Sequence, residues 1–243
     1  DYPRDAIIRR LVDLQFKRND IALERGTFRV RGDVLEVHAV DTKQITRVEM
    51  FGDTVERINI LEPVTGEILE EPLRATIFPA SHYVSLPEKQ EAALAAIEEE
   101  LAIRHKWLLE EGKLLEAQRL LQRTNYDLEM IREIGYCNGI ENYSRHFDGR
   151  QPGQPPFTLL DYFPRDFLCV MDESHQGVPQ LHGMYAGDRS RKESLVDFGF
   201  RLPSAFDNRP LTFDEFEARI GQVIFVSATP GPYERAHSTQ IVE

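Results

Sequence analysis

The hydrophobic period of this chain changes twice along its length, and each period admits only one kind of element. Thr27-Phe28-Arg29-Val30-Arg31 alternates strictly, Gly32-Asp33 marks a turn, and Val34-Leu35-Glu36-Val37-His38 runs back. Ile45 to Phe51 and Val55 to Ile60 repeat the device around Gly52-Asp53, which predicts at least four short, largely antiparallel strands within the first 80 or so residues. Ahead of them, Ala6 to Val12 reads as a helix with Pro3 near its first turn. From Glu88 to about Ile134 the period becomes helical: Leu94, Ile97, Leu101 and Leu108 recur in one set, and Leu114, Ala117, Leu121, Leu128 and Ile131 in the next. Gly112 lies between the sets and costs roughly 1 kcal/mol inside a helix, so a break is expected there and a coiled coil is the weaker reading.

Beyond the Pro-rich loop of residues 149–156 the pattern changes again. Phe167 to Met171 and Val223 to Val226 are apolar throughout rather than alternating, as suits buried parallel strands, and they end at Asp172 and Ser227. Arg189 to Val196 and Phe213 to Ile220, the latter with Thr212 as its cap, are the expected helices between them. This half is predicted to be α/β with an incomplete parallel sheet.

A chain of 243 residues with 41% apolar composition can bury a substantial core, which excludes disorder of the whole. A net charge of -12 excludes a generally basic nucleic-acid coat but not a local basic site, because Arg25, Arg29, Arg31 and Arg47 lie apart from the glutamate-rich stretch of residues 88–133. Two cysteines, Cys137 and Cys169, fit a reducing compartment, and no apolar stretch approaches the roughly 20 residues that cross a bilayer, so a soluble cytoplasmic protein is expected. The chain opens without methionine and stops on Gln240-Ile241-Val242-Glu243, an incipient strand, so both ends are expected to be cut from something longer.

Asp172-Glu173-Ser174-His175 carries the sharpest chemistry. An acid at the carboxyl end of such a strand helps hold magnesium in nucleotide-hydrolysing α/β domains, and a neighbouring acid positions or deprotonates the attacking water. Asp172 takes the metal role in this reading and Glu173 the water role, while His175 reaches toward the next strand end. There, Ser227-Ala228-Thr229-Pro230-Gly231 offers two hydroxyls on a tight turn. The plainer alternatives are a capping aspartate, an ordinary histidine and a simple turn. Such hydrolysis also needs a Gly-rich loop ending in Gly-Lys-Ser or Gly-Lys-Thr. The only Gly-Lys here, Gly112-Lys113, is followed by Leu114, so this chain alone is expected not to hydrolyse ATP.

In the first stretch, Arg29 and Arg31 stand two apart on one strand and share a face, and Arg47 on a neighbouring strand can join the row. Such a row receives carboxylates from a protein partner, receives phosphates from nucleic acid, or only confers solubility. Tyr143, Arg145 and His146 form a candidate DNA-facing segment, with a packed loop as the alternative. Cys137 has no base or third residue to make it a nucleophile, and reads as inert.

Asp172 to His175, Ser227 to Gly231, Tyr126 to Met130, Gly139 to His146, Tyr162-Phe163-Pro164 and Leu202 to Pro210 together resemble the UvrB family over essentially the whole chain. That family is the damage-verifying ATPase subunit of bacterial nucleotide excision repair. The resemblance implies an incomplete P-loop (RecA-like) helicase motor domain joined through helices to a small, mainly antiparallel α+β insert. The insert would occupy residues 1–85, a helical bridge 86–148, and part of the first motor domain 149–243. It implies that Arg18, Arg29, Arg31 and Arg47 bind UvrA, and that Asp172, Glu173, His175, Ser227 and Thr229 belong to helicase motifs two and three. ATP and Mg2+ would serve the intact protein, with none expected on this fragment, and damaged DNA and UvrC would be its further partners. The phosphate loop and damage-probing hairpin would precede Asp1, and a second motor domain would follow Glu243. The rivals are a module of a related helicase or transcription-repair coupling factor, and a catalytically silent scaffold. Strands without neighbours would leave unpaired edges and apolar faces prone to aggregation.

Overall fold

The computed structural model describes residues 3–81 and 87–242. They fall into two compact units, Asp1–Leu86 with Glu133–Gly135, and Pro87–Arg132 with Tyr136–Glu243. No described helix is long and apolar enough to cross a membrane.

The first unit opens with α1 (Arg4–Asp13), begun by Pro3. A six-stranded sheet follows in sequential order: β1 (Lys17–Arg18), β2 (Thr27–Arg31), β3 (Val34–His38), β4 (Ile45–Phe51), β5 (Thr54–Leu61) and β6 (Ile68–Glu70). Only β1 and β2 run parallel. Alternation decides what each strand buries. Phe28, Leu35, Val37, Val48 and Met50 turn to one face and close against Leu11 and Phe16, each fully buried side chain contributing roughly 1.5–3 kcal/mol. The opposite face carries Arg29, Glu36 and Arg47 in cross-strand register. Gly32 and Gly52 both take positive φ in the hairpin turns, at +60° and +58°, where the tight connection demands it. The expected hairpins are both present, and a register shift at Glu49/Met50 interrupts the second.

In the second unit, α2 (Pro87–Glu110) and α3 (Leu114–Ile134) are separate helices. Gly112 divides them at φ +74°, as its cost inside a helix predicts. Leu94, Ile97, Leu101 and Leu108 are buried, as are Ala117, Leu128 and Ile131, but Leu114 is exposed, and Leu120 rather than the half-buried Leu121 takes the core place. Leu114 is the first residue of α3, ahead of the turn that packs. A 3-10 turn (Ile140–Tyr143) then leads into α4 (Ser144–Asp148).

The remaining elements are β7 (Leu168–Asp172), α5 (Ser174–Asp197), α6 (Phe213–Glu217), β8 (Gln222–Val226) and α7 (Pro232–His237). β7 and β8 pair in parallel, with Asp172 opposite Val226. Two expectations are corrected here. The helix expected at Arg189 starts fifteen residues earlier, at Ser174, and runs through Gly177, Pro179, Gly183 and Gly187 despite their poor propensity. The strands are also not buried on both sides. Leu168, Val170, Ile224 and Val226 are 51%, 59%, 48% and 45% exposed on the face that no described element covers.

Candidate functional site

In the first unit the hairpin about Gly32-Asp33 pairs Arg29 with Glu36, and the next pairing sets Glu36 beside Arg47. Glu36 therefore lies between two guanidinium groups. It accepts from Arg47 Nε at 3.0 Å and Nη2 at 2.8 Å, and from Arg29 Nε. Its side chain is 5% exposed, against 21% for Arg29 and 30% for Arg47. Burial opposes ionisation of Glu36, but the hydrogen bonds and charges of Arg29 and Arg47 outweigh it and hold the carboxyl below its usual range. Asp20 is the second internal carboxylate. Its Oδ2 accepts from Arg18 Nε at 3.0 Å, its Oδ1 accepts from the Val30 backbone N–H at 3.0 Å, and its carbonyl accepts from Arg31 Nη2 at 3.3 Å. The Val30 contact, followed by Arg18, lowers the Asp20 pKa against a burial effect that raises it. All four predicted arginines thus sit beside one of two carboxylates, neither of which was singled out from sequence. Glu36 was within reach: counting back from the Gly32-Asp33 turn pairs it with Arg29.

In the second unit the ends of β7 and β8 lie side by side, which brings the acidic and hydroxyl motifs together. His175 Nδ1 and Ser227 Oγ share a hydrogen bond at 2.8 Å. The Thr229 backbone N–H donates to the same Oγ at 3.1 Å, so Thr229 joins through its backbone. Glu173 Oε2 lies 3.4 Å from His175 Nδ1. Asp172 is exposed at the strand end, and its Oδ1 accepts from the Glu173 backbone N–H at 3.0 Å. Glu173 itself adopts a left-handed conformation, φ +47°, which a non-glycine residue takes only where its surroundings impose it. The next residue shows the anchor. Ser174 is wholly buried, and its hydroxyl donates at 2.9 Å to Glu234, which is also buried. Ser174 lies inside the acidic motif but was given no role there, and Glu234 lies outside every motif.

Tyr143, Arg145 and His146, the candidate DNA-facing segment, have their polar atoms engaged within the chain. Tyr143 is buried with its hydroxyl donating to Asp127 at 2.8 Å. Arg145 Nη1 donates to Asp207 at 2.8 Å, and His146 Nε2 lies 2.7 Å from Glu100. Glu100 also accepts from the Ser204 backbone N–H at 2.7 Å. Burial works against the Glu100 carboxylate, but the His146 and Ser204 bonds hold its pKa down. The polar atoms of this segment are spent on bracing α2, α4 and the 203–207 turn. Burial pushes the Cys137 thiol up to about 12, in keeping with an inert thiol.

No described cluster of three or more His, Cys, Asp or Glu side chains is placed to hold a metal by itself. The donors at the β7 end do suit magnesium in another way. Mg2+ at phosphate sites is bound by one or two carboxylates and completed by phosphate and water, and Asp172 supplies an exposed hard-oxygen ligand of that kind.

Comparison with known proteins gives two family matches. Residues 1–83 match the UvrB interaction domain, and residues 88–149 match the UvrB third helical domain. UvrABC system protein B of Carboxydothermus hydrogenoformans is 63% identical over 243 residues, covering 100% of this chain and 37% of that protein. The protein of the same name from Geobacillus kaustophilus is 61% identical over 241 residues, with 99% and 37% covered. That from Streptomyces coelicolor is 59% identical over 243 residues, with 100% and 34% covered. The chain spans little more than a third of the length of these relatives.

Proposed function

Because this chain belongs to the UvrB family, we propose that it docks onto UvrA through the arginine face of its first unit, as part of the damage-verifying subunit of bacterial nucleotide excision repair. The observation that carries this reading is the gathering of Arg18, Arg29, Arg31 and Arg47 about two carboxylates inside the stretch that matches the interaction domain. Guanidinium nitrogens not engaged by Glu36 or Asp20 remain for the carboxylates of a partner. The third-helical-domain match favours UvrB over a transcription-repair coupling factor.

Residues 1–85 act as the insert, 86–148 as a helical bridge, and 149–243 as part of a first RecA-like motor domain. Parallel pairing of β7 with β8, each ending in a motif, supports the last assignment. In the intact cytoplasmic protein, ATP hydrolysis is coupled to transient strand opening on damaged DNA, ahead of UvrC. Asp172 would hold Mg2+, which supplies charge neutralisation on the transferred phosphoryl group. Glu173, fixed in its left-handed turn, orients the attacking water, and His175 links that turn to Ser227. The backbone bond from Thr229 to Ser227 holds the second strand end in place.

Calorimetric titration of the chain into purified UvrA tests the docking proposal, with circular dichroism to verify folding. Saturable binding that the Arg29→Ala, Arg31→Ala double variant weakens about tenfold or more is expected. A folded wild-type chain that does not bind would end the proposal.

A further inference from the structure

We infer that Glu36 and Asp20 are specificity determinants of the arginine face, setting it to read a protein carboxylate surface and to reject a nucleic-acid backbone. This inference rests on the UvrA-docking reading. Arg29, Arg31 and Arg47 on one face of the sheet, with Arg18 on the β1 edge, would by themselves attract any polyanion, because phosphate binding is driven by the number of cations that displace counterions and needs little geometry. Here that number is lowered from within. Glu36, 5% exposed, neutralises part of the charge of Arg29 and Arg47, and Asp20 pairs with Arg18 while its backbone carbonyl accepts from Arg31.

The two carboxylates also remove freedom. Arg47 gives Nε and Nη2 to a single oxygen of Glu36, and Arg29 gives Nε to the other. The guanidinium groups of Arg29 and Arg47 are thus each anchored to Glu36 through Nε. A row of guanidinium groups with fixed planes meets carboxylates in matching positions without paying rotamer entropy at the moment of binding. A flexible row of full charge would follow a phosphate backbone equally well. β2, β3 and β4 place Arg29, Glu36 and Arg47 in register, so selectivity is set by the sheet itself.

The test compares the wild-type chain with Glu36→Gln, Asp20→Asn and the double variant, each against UvrA and against a short DNA duplex at low and near-physiological salt. The expected result for the double variant is a loss of UvrA affinity of about tenfold with a gain in duplex affinity of similar size that fades as salt rises. Unchanged affinity for both ligands overturns the inference, and so does loss of UvrA binding without the gain on DNA. If Glu36→Gln does not fold by circular dichroism, Asp20→Asn carries the test, since the Asp20 side chain is 45% exposed and its loss leaves the core untouched. Failure of the wild type to bind UvrA would instead sink the docking reading. The DNA arm would still report whether the two acids suppress phosphate binding.

Discussion

At Gly199 the chain turns so closely against α3 that an added Cβ would overlap the backbone carbonyl of Glu116, and its φ is +70° as well. Gly112 has the same backbone sign, φ +74°, with nothing near it. Left-handed strain alone costs roughly 1–2 kcal/mol, so Gly112→Ala is expected to lower unfolding free energy by about that much. Gly199→Ala must also displace backbone and is expected to cost more, about 3 kcal/mol or beyond. Urea unfolding of the two variants side by side checks the order, and equal losses would mean the Glu116 approach is not a real constraint. Cys137 gives a second prediction. With 1% exposure and a thiol raised to about 12, it should resist an alkylating reagent at mild alkaline pH until the protein is unfolded, as mass spectrometry would read directly. Residues of this kind divide by how far their cause reaches. Glu36 is legible by counting back from a turn, because a hairpin makes partners of residues seven apart. Tyr143 is not legible, because its hydroxyl is claimed by Asp127 and its ring by the packing around it, neither of which leaves a trace in local pattern.

Elements were legible where one face is buried and the other solvated. β2 to β5 followed their alternation, and α2 and α3 parted at the glycine between them. α5 escaped because glycines and a proline dilute its first half, while Ser174 at its start is pinned to Glu234 sixty residues away. The short α6 shows the opposite case, a helix announced by its own cap. Thr212 accepts from the Glu215 N–H at 3.3 Å, and Glu215 accepts in return from the Thr212 N–H at 2.8 Å. Arg209 then grips the same carboxylate at 2.7 and 2.9 Å. The Arg209 bond, chiefly, lowers the Glu215 pKa from 4.5 to about 2. A depressed acid stabilises the fold in full above its unfolded value and ceases to do so as pH falls through its folded value. The difference in stability between wild type and Glu215→Gln should therefore be constant above about pH 5. It should shrink between 4.5 and about 2. Denaturant titrations across that range would show it, and a gap that persists at the acid end would assign the effect to something other than the carboxylate charge.

For the molecule as a whole, the two units differ in how completely each buries what its sequence offers. In the first, β2, β3 and β4 each turn an apolar face inward and α1 closes it. In the second, β7 and β8 have apolar residues on both faces, as strands covered on both sides do, yet only one face is covered by described elements. Met171 packs near Gly177 of α5, and Phe225 meets Tyr233 of α7 at 5.9 Å. Leu168, Val170, Ile224 and Val226 are left together in the open, flanked by the unpaired outer edges of a two-stranded sheet. An apolar patch beside free backbone donors and acceptors combines the two features that promote association. The chain is therefore expected to bind a hydrophobic dye and to self-associate with rising concentration in light scattering. A Val170→Lys, Ile224→Thr variant should suppress both. Each change removes apolar surface that is already about half exposed, so little native burial is lost. Suppression with an unaltered circular dichroism spectrum would place the association on this face. Association that survives the substitutions would move it to the strand edges, whose backbone groups those side-chain changes leave intact.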